Sequence, residues 1–207
     1  MAKNSSFKNM FLTMLTTTFV SSALLAGVFV MTKDSIANVG IKKINKGISN
    51  VLPKFDNNPS ENVTGKFVDG DTVYIYAASK NGEPSGYAVQ TFTNAGYGGK
   101  IVLMVGFLVD GTINNIEVIS HSETPGLGDK IDSKKHSFSL QFNGKNPKDF
   151  KLSVRKNGGD VDAITATTIS SKAFCNAVAR AYAVFSEEIL KTAVNGVSGA
   201  TQTNNQQ

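Results

Sequence analysis

The sequence predicts an α+β domain, an antiparallel sheet with flanking helices, preceded by one N-terminal transmembrane helix. Three observations support this prediction. Residues 11–32 contain no charged side chain. Strand-like apolar runs follow later, interrupted by hairpin signals, an Asn-Gly pair at 81–82 and an Asp-Gly pair at 110–111. After Ser171, apolar residues recur at helical spacing. Antiparallel hairpins with helices at either end are typical of α+β domains.

The uncharged segment Phe11–Thr32 is long enough to cross a membrane. Its 22 residues span about 33 Å as a helix, and a helix satisfies Ser and Thr hydroxyls through carbonyls one turn back. A cleaved signal peptide is the alternative, because Ser35–Ala37 resembles a small-x-small cleavage site. The segment is longer than the usual signal core, and Lys33 and Asp34 interrupt the approach to that site. We therefore favour a retained anchor.

The charges near the span predict its orientation. Lys3 and Lys8 make the short N-terminal tail basic, and a long domain follows the span. A long domain crosses the membrane largely regardless of its charge. We therefore expect a single-pass membrane protein with its N-terminus inside and its domain on the extracytoplasmic side. The expected boundaries are a cytoplasmic tail at 1–10, the transmembrane helix at 11–32, the extracytoplasmic domain at 33–194 and a polar tail at 195–207.

Local patterns predict the elements of the domain. Apolar spacing predicts an amphipathic helix over Ile36–Leu52, which Pro53 ends, and residues 55–64 are a polar connector. A second helix is expected from Ser171 to about Val194. The expected strands are Thr72–Ala78, Gly86–Thr93, two strands flanking the Asp-Gly pair at 110–111, and Phe150–Val154, with a short segment at Phe138–Phe142.

Composition excludes several functions. The net charge is +5, but the lysines are scattered and no zinc-finger, basic-zipper or RNP-like motif is present, so we expect no nucleic-acid partner. A single cysteine, Cys175, cannot form an internal disulfide, a CxxC zinc site or an iron–sulfur cluster. Its apolar neighbours predict a buried, inert thiol. We find no acid/base or nucleophilic triad, which argues against a hydrolase.

Two loops carry candidate binding residues. The first, His121–Lys130, places Gly126 and Gly128 around Leu127, where glycines let a backbone approach a flat ligand. Because His136 is the only other histidine and no third ligand has suitable spacing, we expect no metal. The second loop has five hydroxyl side chains within Thr165–Ser171, ahead of the second helix. A helix start suits a phosphate, although N-capping and loop polarity are the simpler explanation of these residues alone.

Taken together, these features resemble the FMN-binding domain of the G subunit of the Rnf electron-transport complex and of the C subunit of the sodium-pumping NADH:quinone reductase. The matching pieces are the N-terminal span, VLPKF (51–55), GYGGKI (96–101), SHSETPGLGDKI (120–131) and VDAITATTISSKAF (161–174). In order and spacing the resemblance covers nearly the whole chain, and ETPGLG is its most specific motif.

The resemblance implies a covalent flavin. In this family a flavin transferase joins the phosphate of FMN to the last residue of a D-x-x-(S/T)-G-A-T motif. Carried over, Asp162 is the acid, Thr165 the S/T position and Thr168 the acceptor, while Ala166 replaces the Gly and Thr167 the Ala. The C-terminal Ser198–Thr201, SGAT, is an alternative acceptor site, although it lacks the leading Asp.

The resemblance also implies the remaining binding residues. Thr167 and Ser170 would bind the phosphate, and the flavin ring would lie against the loop at 121–127. The candidate residues there are His121, Glu123, Thr124, Gly126 and Leu127, with Gly98 and Gly99 nearby.

The function that the resemblance implies is that of an electron-transfer subunit anchored in the cell inner membrane, with its domain on the periplasmic side. It carries covalent FMN in an ion-translocating oxidoreductase complex that links reduced ferredoxin to NAD and moves Na⁺ or H⁺, with no independent turnover. The expected partners are the other subunits, a flavin transferase and the membrane. The alternative is an anchored extracytoplasmic sensory module that binds a flavin or another ligand without redox coupling.

Overall fold

We describe residues 7–190 of a computed structural model, in which five strands form one antiparallel sheet in the order β1-β2-β3-β4-β5. The strands are β1 (Val63–Val68), β2 (Asp71–Lys80), β3 (Glu83–Gly96), β4 (Gly99–Phe107) and β5 (Ile113–Ser120). The helices are α1 (Phe7–Val51) and α2 (Thr168–Phe185), and a π-helical turn follows at Ser186–Leu190. Short 3-10 turns lie at Pro59–Glu61, Gly128–Ile131, Ser137–Phe142 and Arg155–Asn157. The predicted fold class is confirmed.

The chain divides into two units between Lys43 and Ile44. The first unit contains the helical residues 7–43, whose described side chains are all exposed. Its most apolar 18-residue stretch has a mean hydropathy of 1.8, so the helix is long and apolar enough to cross a membrane. The hydroxyls of Thr13, Thr17 and Thr32 donate to carbonyls four residues earlier at 2.7 to 2.9 Å. The helix therefore satisfies these polar groups internally, as expected.

In the second unit, the two faces of the sheet pack against different helices. Alternate residues of β4 point to opposite faces. Leu103 and Val105 join the large core that contains α2, whereas Met104 joins a smaller core with Ile48 and Val51 of α1. All five side chains are at most 1% exposed. Alternate side chains of β4 thus pack against α2 on one face of the sheet and against the end of α1 on the other.

Side-chain hydrogen bonds from β5 hold the C-terminal end of α1 against the sheet. Asn114 and Asn115 donate side-chain N–H groups to the carbonyls of Val51 and Asn50 at 2.8 and 2.9 Å. These bonds satisfy carbonyls that have no partner within the last turn of a helix. Pro53 then prevents the helix from continuing, as predicted.

Most predicted elements are confirmed, with four differences. The helices predicted at 11–32 and at Ile36–Leu52 are one continuous helix, α1. The connector predicted at 55–64 overlaps β1, an edge strand that was not predicted. The strand predicted at Phe150–Val154 is wrong, because Val154 makes only an isolated bridge to Val161 and the neighbouring N–H groups bond within their own loop. The second helix begins at Thr168 rather than Ser171. The predicted end of that helix near Val194, the polar tail and Thr201 lie outside the described residues.

Candidate functional site

A cavity of about 550 Å³ lies in the second unit, where the start of α2 meets two loops. Ligand sites for small molecules typically measure roughly 300–1,000 Å³. Its walls come from the β3–β4 turn, from the loop after β5, and from the segment that enters α2. The lining residues are Tyr97, Glu123, Thr124, Leu127, Gly128, Ala166, Thr167, Thr168, Ile169 and Ser170. Aromatic and aliphatic side chains therefore share this cavity with hydroxyl groups.

The hydroxyl groups ahead of α2 have different partners. The Ser171 hydroxyl is fully buried; it donates to the Thr167 carbonyl at 3.1 Å and accepts from the Ile164 N–H at 3.0 Å. It therefore fixes the entry of the chain into the helix. Thr167 is the N-cap residue, but its side chain does not cap the helix. Ser170 donates to Glu123 at 2.6 Å.

Thr168 is the first residue of α2, and its half-buried side chain faces the cavity. Within the part of the chain that the structure describes, its hydroxyl makes no hydrogen bond. The first N–H groups of any helix also lack partners inside the helix, and the positive end of the helix dipole lies there. The cavity thus borders free donors and a free hydroxyl, a combination that suits an anionic group.

Glu123 is a buried carboxylate in the cavity wall, with 5% of its surface exposed. One oxygen accepts from the Gly98 N–H at 3.1 Å and the other from Ser170. The Glu123 N–H in turn donates to Nδ1 of His121 at 3.1 Å. His121 therefore shapes the loop and is not part of the cavity lining.

Glycines are required where the loops meet. A Cβ on Gly98 would lie 2.0 Å from the Ser122 carbonyl oxygen, and one on Gly128 would lie 2.3 Å from a Glu123 carboxylate oxygen. No other residue fits at these distances without moving the backbone or the carboxylate. This packing accounts for Gly98 in GYGG and for Gly128 in GLG.

Six of the twelve predicted binding residues line the cavity, and six do not. The six that do are Glu123, Thr124, Leu127, Thr167, Thr168 and Ser170. Of the others, Gly98 supports Glu123, while Gly126 occupies a turn with φ of +77°. Asp162 forms an exposed ion pair with Arg155 at 2.6 Å. Thr165 is exposed and Gly99 is partly buried, and neither lines the cavity.

Four lining residues were not among the twelve predicted binding residues: Tyr97, Gly128, Ala166 and Ile169. Tyr97 is 72% exposed at the tip of the β3–β4 turn, and Ile169 is 53% exposed. The sequence gives little indication of these contacts, because a tyrosine among glycines or an isoleucine among hydroxyl residues does not by itself predict a ligand site. Exposed apolar side chains that line a cavity are typical of ligand contacts.

Two ionisable groups near the site have pKa values shifted by their surroundings. Burial raises the pKa of Cys175 to about 12, so the thiol is unreactive at neutral pH, as expected. The Lys135 ammonium, 2.7 Å from Asp129, lowers the pKa of that buried carboxyl. Among residues 7–190, no group of three or more His, Cys, Asp or Glu side chains is arranged to hold a metal ion.

The cavity lies within a segment that is similar to a known protein family. Residues 96–183 match the family described as the FMN-binding domain, a range that includes every residue lining the cavity. The G subunit of the ion-translocating oxidoreductase complex of Vibrio cholerae (serotype O1, strain M66-2) is 35% identical over 173 residues, which cover 78% of this chain and 82% of that protein.

Two further relatives are G subunits of the same kind of complex. The protein of Aliivibrio fischeri (strain ES114) is 35% identical over 188 residues, covering 84% of this chain and 90% of the relative. That of Shewanella loihica is 41% identical over 113 residues, covering 53% of each chain. Among solved structures, NqrC of Shewanella oneidensis aligns with 60% of this chain and 63% of its own, at 21% identity and a TM-score of 0.40.

Proposed function

Because the chain belongs to the family of G subunits of ion-translocating oxidoreductase complexes, we propose that it is a membrane-anchored electron-transfer subunit that carries FMN within such a complex. The observation that carries this proposal is the cavity of about 550 Å³, all of whose lining residues lie within the range that matches the FMN-binding domain. Bound FMN supplies the redox chemistry, and the protein supplies its orientation and surroundings. The resemblance to the Rnf complex implies that the complex passes electrons between reduced ferredoxin and NAD. It also implies that this subunit has no independent turnover.

The residues of the cavity fit FMN in size and chemistry. A flat isoalloxazine ring can pack against Tyr97, Leu127 and Ile169, which together expose aromatic and aliphatic surface. The phosphate can bind at the start of α2, where Thr167 and Thr168 and free N–H groups border the cavity. The glycines at the meeting of the loops leave room for close backbone approach.

We further propose that Thr168 is the covalent attachment site. Its hydroxyl is free of hydrogen bonds in the described residues, and it occupies the acceptor position of the family motif. Ester formation needs a flavin phosphate activated as an anhydride. The Thr168 Oγ–P bond forms as the anhydride P–O bond breaks, and the hydroxyl proton passes to the leaving phosphate. A flavin transferase catalyses this transfer from the flavin anhydride. The resulting diester keeps one negative charge, which the helix start favours by about 0.3–1 kcal/mol.

Residues 11–32 are proposed as the membrane anchor, with the domain at 33–194 on the extracytoplasmic side of the inner membrane. The support is the apolar, fully exposed first part of α1 and the short basic tail before it. Covalent attachment suits this location, because FMN lost outside the cytoplasm could not easily be recovered.

The attachment site is tested by co-expressing the chain with a flavin transferase and viewing a denaturing gel under ultraviolet light. We expect a fluorescent band for the unmodified sequence and for Thr64→Val, and none for Thr168→Val. Thr64 is the matched control, because it is an exposed threonine outside both the family motif and the cavity lining.

Two outcomes would contradict the proposal. A dark band for the unmodified sequence, with the transferase active on a control substrate, removes the covalent carrier. Loss of fluorescence in Thr201→Val instead of Thr168→Val moves the site to the C-terminal SGAT. Copurification of other membrane subunits with the chain separates an electron-transfer subunit from a sensory module, which would purify alone.

A further inference from the structure

The Glu123 carboxylate connects the two walls of the cavity that are farthest apart in sequence. It accepts from Gly98, 25 residues earlier, and from Ser170, 47 residues later. Gly98 belongs to the β3–β4 turn and Ser170 to the first turn of α2. Among the described hydrogen bonds of the cavity lining, these two join the β3–β4 turn, the loop after β5 and the start of α2.

The surroundings hold this carboxylate in one position. Its exposed fraction is 5%, and that of Ser170 is 1%. Cβ atoms built on Gly96 and Gly128 would lie 2.6 and 2.3 Å from its two oxygens, so the neighbouring backbone closes around it. A buried carboxylate that keeps both acceptor bonds costs much less than one that loses a donor.

We propose that Glu123 is a positioning residue, which holds the β3–β4 turn and the start of α2 at a fixed separation and thereby fixes the orientation of the flavin ring. This inference rests on the proposed function, since the ring is that of FMN attached at Thr168. The carboxylate acts through the walls: Tyr97 lies beside Gly98, and Thr168 lies two residues before Ser170. We call the two hydrogen bonds that Glu123 accepts, from Gly98 and from Ser170, the clamp. With the clamp intact, the ring has one environment and little access to solvent.

Glutamine at position 123 separates this role from simple packing. Its volume is nearly that of glutamate, and its amide oxygen can still accept from Gly98. The amide nitrogen cannot accept from the Ser170 hydroxyl and can only donate to it, so Glu123→Gln replaces a charge-assisted hydrogen bond with a weaker neutral one. Ser170→Ala removes the same bond from the other side with a minimal change in volume.

A matched control lies six residues along the same segment. Asp129 is also a buried carboxylate, 4% exposed, and it accepts from Lys135 at 2.7 Å. It does not line the cavity. Asp129→Asn therefore removes a comparable buried charge without touching the clamp.

The experiment uses the full chain, flavinylated by co-expression with the transferase and purified in detergent. The readouts are iodide quenching of flavin fluorescence and the visible circular dichroism of the flavin. We expect both variants to keep the covalent flavin. Ser170→Ala should raise the population with an open cavity about tenfold, as loss of one charge-assisted bond implies, and Glu123→Gln should raise it by less. Quenching should rise and the dichroism should fall, more in Ser170→Ala than in Glu123→Gln. The double variant should match Ser170→Ala, because both changes act on the same bond.

Asp129→Asn should lower the melting temperature without changing either flavin signal. Equal quenching in Glu123→Gln, Ser170→Ala and the unmodified chain overturns the inference, as does a matching change in Asp129→Asn. Loss of flavin attachment in a folded Ser170→Ala protein also overturns it, because Ser170 would then act in the modification itself. If Glu123→Gln does not fold, Ser170→Ala decides. An unmodified chain without flavin contradicts the proposed function instead.

Discussion

At the scale of single residues, Ala166 adopts a backbone conformation that favours glycine. Its φ is +64°, in the left-handed region, directly before the residues that enter α2. In the D-x-x-(S/T)-G-A-T motif that this segment resembles, glycine stands at this position. A left-handed conformation costs a non-glycine residue about 1–2 kcal/mol, whereas glycine adopts it freely. The turn that presents Thr168 is therefore kept at a cost to stability.

Replacing Ala166 with glycine should relieve this strain. Allowing for the greater flexibility of glycine in the unfolded chain, we expect Ala166→Gly to raise the free energy of unfolding by about 0.5–1 kcal/mol. The measurement is urea denaturation of the full chain in detergent, followed by tyrosine fluorescence. Ala163→Gly is the control, because Ala163 is also exposed and its φ is not positive. A destabilisation by Ala166→Gly as large as that by Ala163→Gly would show that no strain is present.

The residue types of the site could be predicted from the sequence, but their partners could not. The family resemblance implied that the hydroxyl-rich segment and the loop after β5 contact one flavin, and both segments line the cavity. The pairing of Glu123 with Ser170 spans 47 residues, and no local pattern encodes such a distance. Likewise, Ser171 has the character of a capping residue, whereas its hydroxyl bonds to the loop before the helix.

At the scale of elements, strands with both burial and turn signals were predictable. Strands β2 to β5 have alternating apolar residues and end at turns where Gly82 and Gly111 have positive φ. Strand β1 lacks this pattern, because four of its six residues are exposed and Gly65 interrupts it. Residues 150–154 show the converse: their apolar side chains Phe150, Leu152 and Val154 pack on the core, although no strand among the described residues lies beside them to pair with.

The contact between α1 and β4 depends on one glycine. A Cβ on Gly106 would lie 2.0 Å from the Val51 carbonyl oxygen, so the end of α1 rests directly on the strand backbone. We expect Gly106→Ala to lower the free energy of unfolding by about 1–3 kcal/mol, because the helix must move away and its core contacts loosen.

The measurement is again urea denaturation of the full chain. Gly65→Ala is the control on strand β1, where the nearest atom to the new Cβ is a Thr72 methyl group at 3.2 Å. That side chain can move slightly, so little stability is lost. Equal stability of the Gly106→Ala variant and the unmodified chain would mean that the end of α1 does not rest on β4 as described.

At the scale of the whole molecule, the proposed membrane orientation can be tested by cysteine labelling, because the only native cysteine is unreactive. Cys175 is 3% exposed, and burial raises the pKa of its thiol to about 12. Almost none of it is thiolate at neutral pH, and a maleimide cannot reach it in the folded protein. A cysteine introduced at an exposed position is therefore the only one that reacts, without the need to replace Cys175.

Asn9 and Asn157 are suitable positions, since both are exposed and they lie on either side of the proposed span in the sequence. With the tail inside and the domain outside, a membrane-impermeant maleimide should label Asn157→Cys in cells whose outer barrier has been opened. It should label Asn9→Cys only after the inner membrane is disrupted with detergent. The inverse pattern would place the domain in the cytoplasm, where lost FMN is replaced readily and the argument for a covalent bond from location no longer holds. Labelling of both positions before disruption would mean that residues 11–32 do not span the membrane.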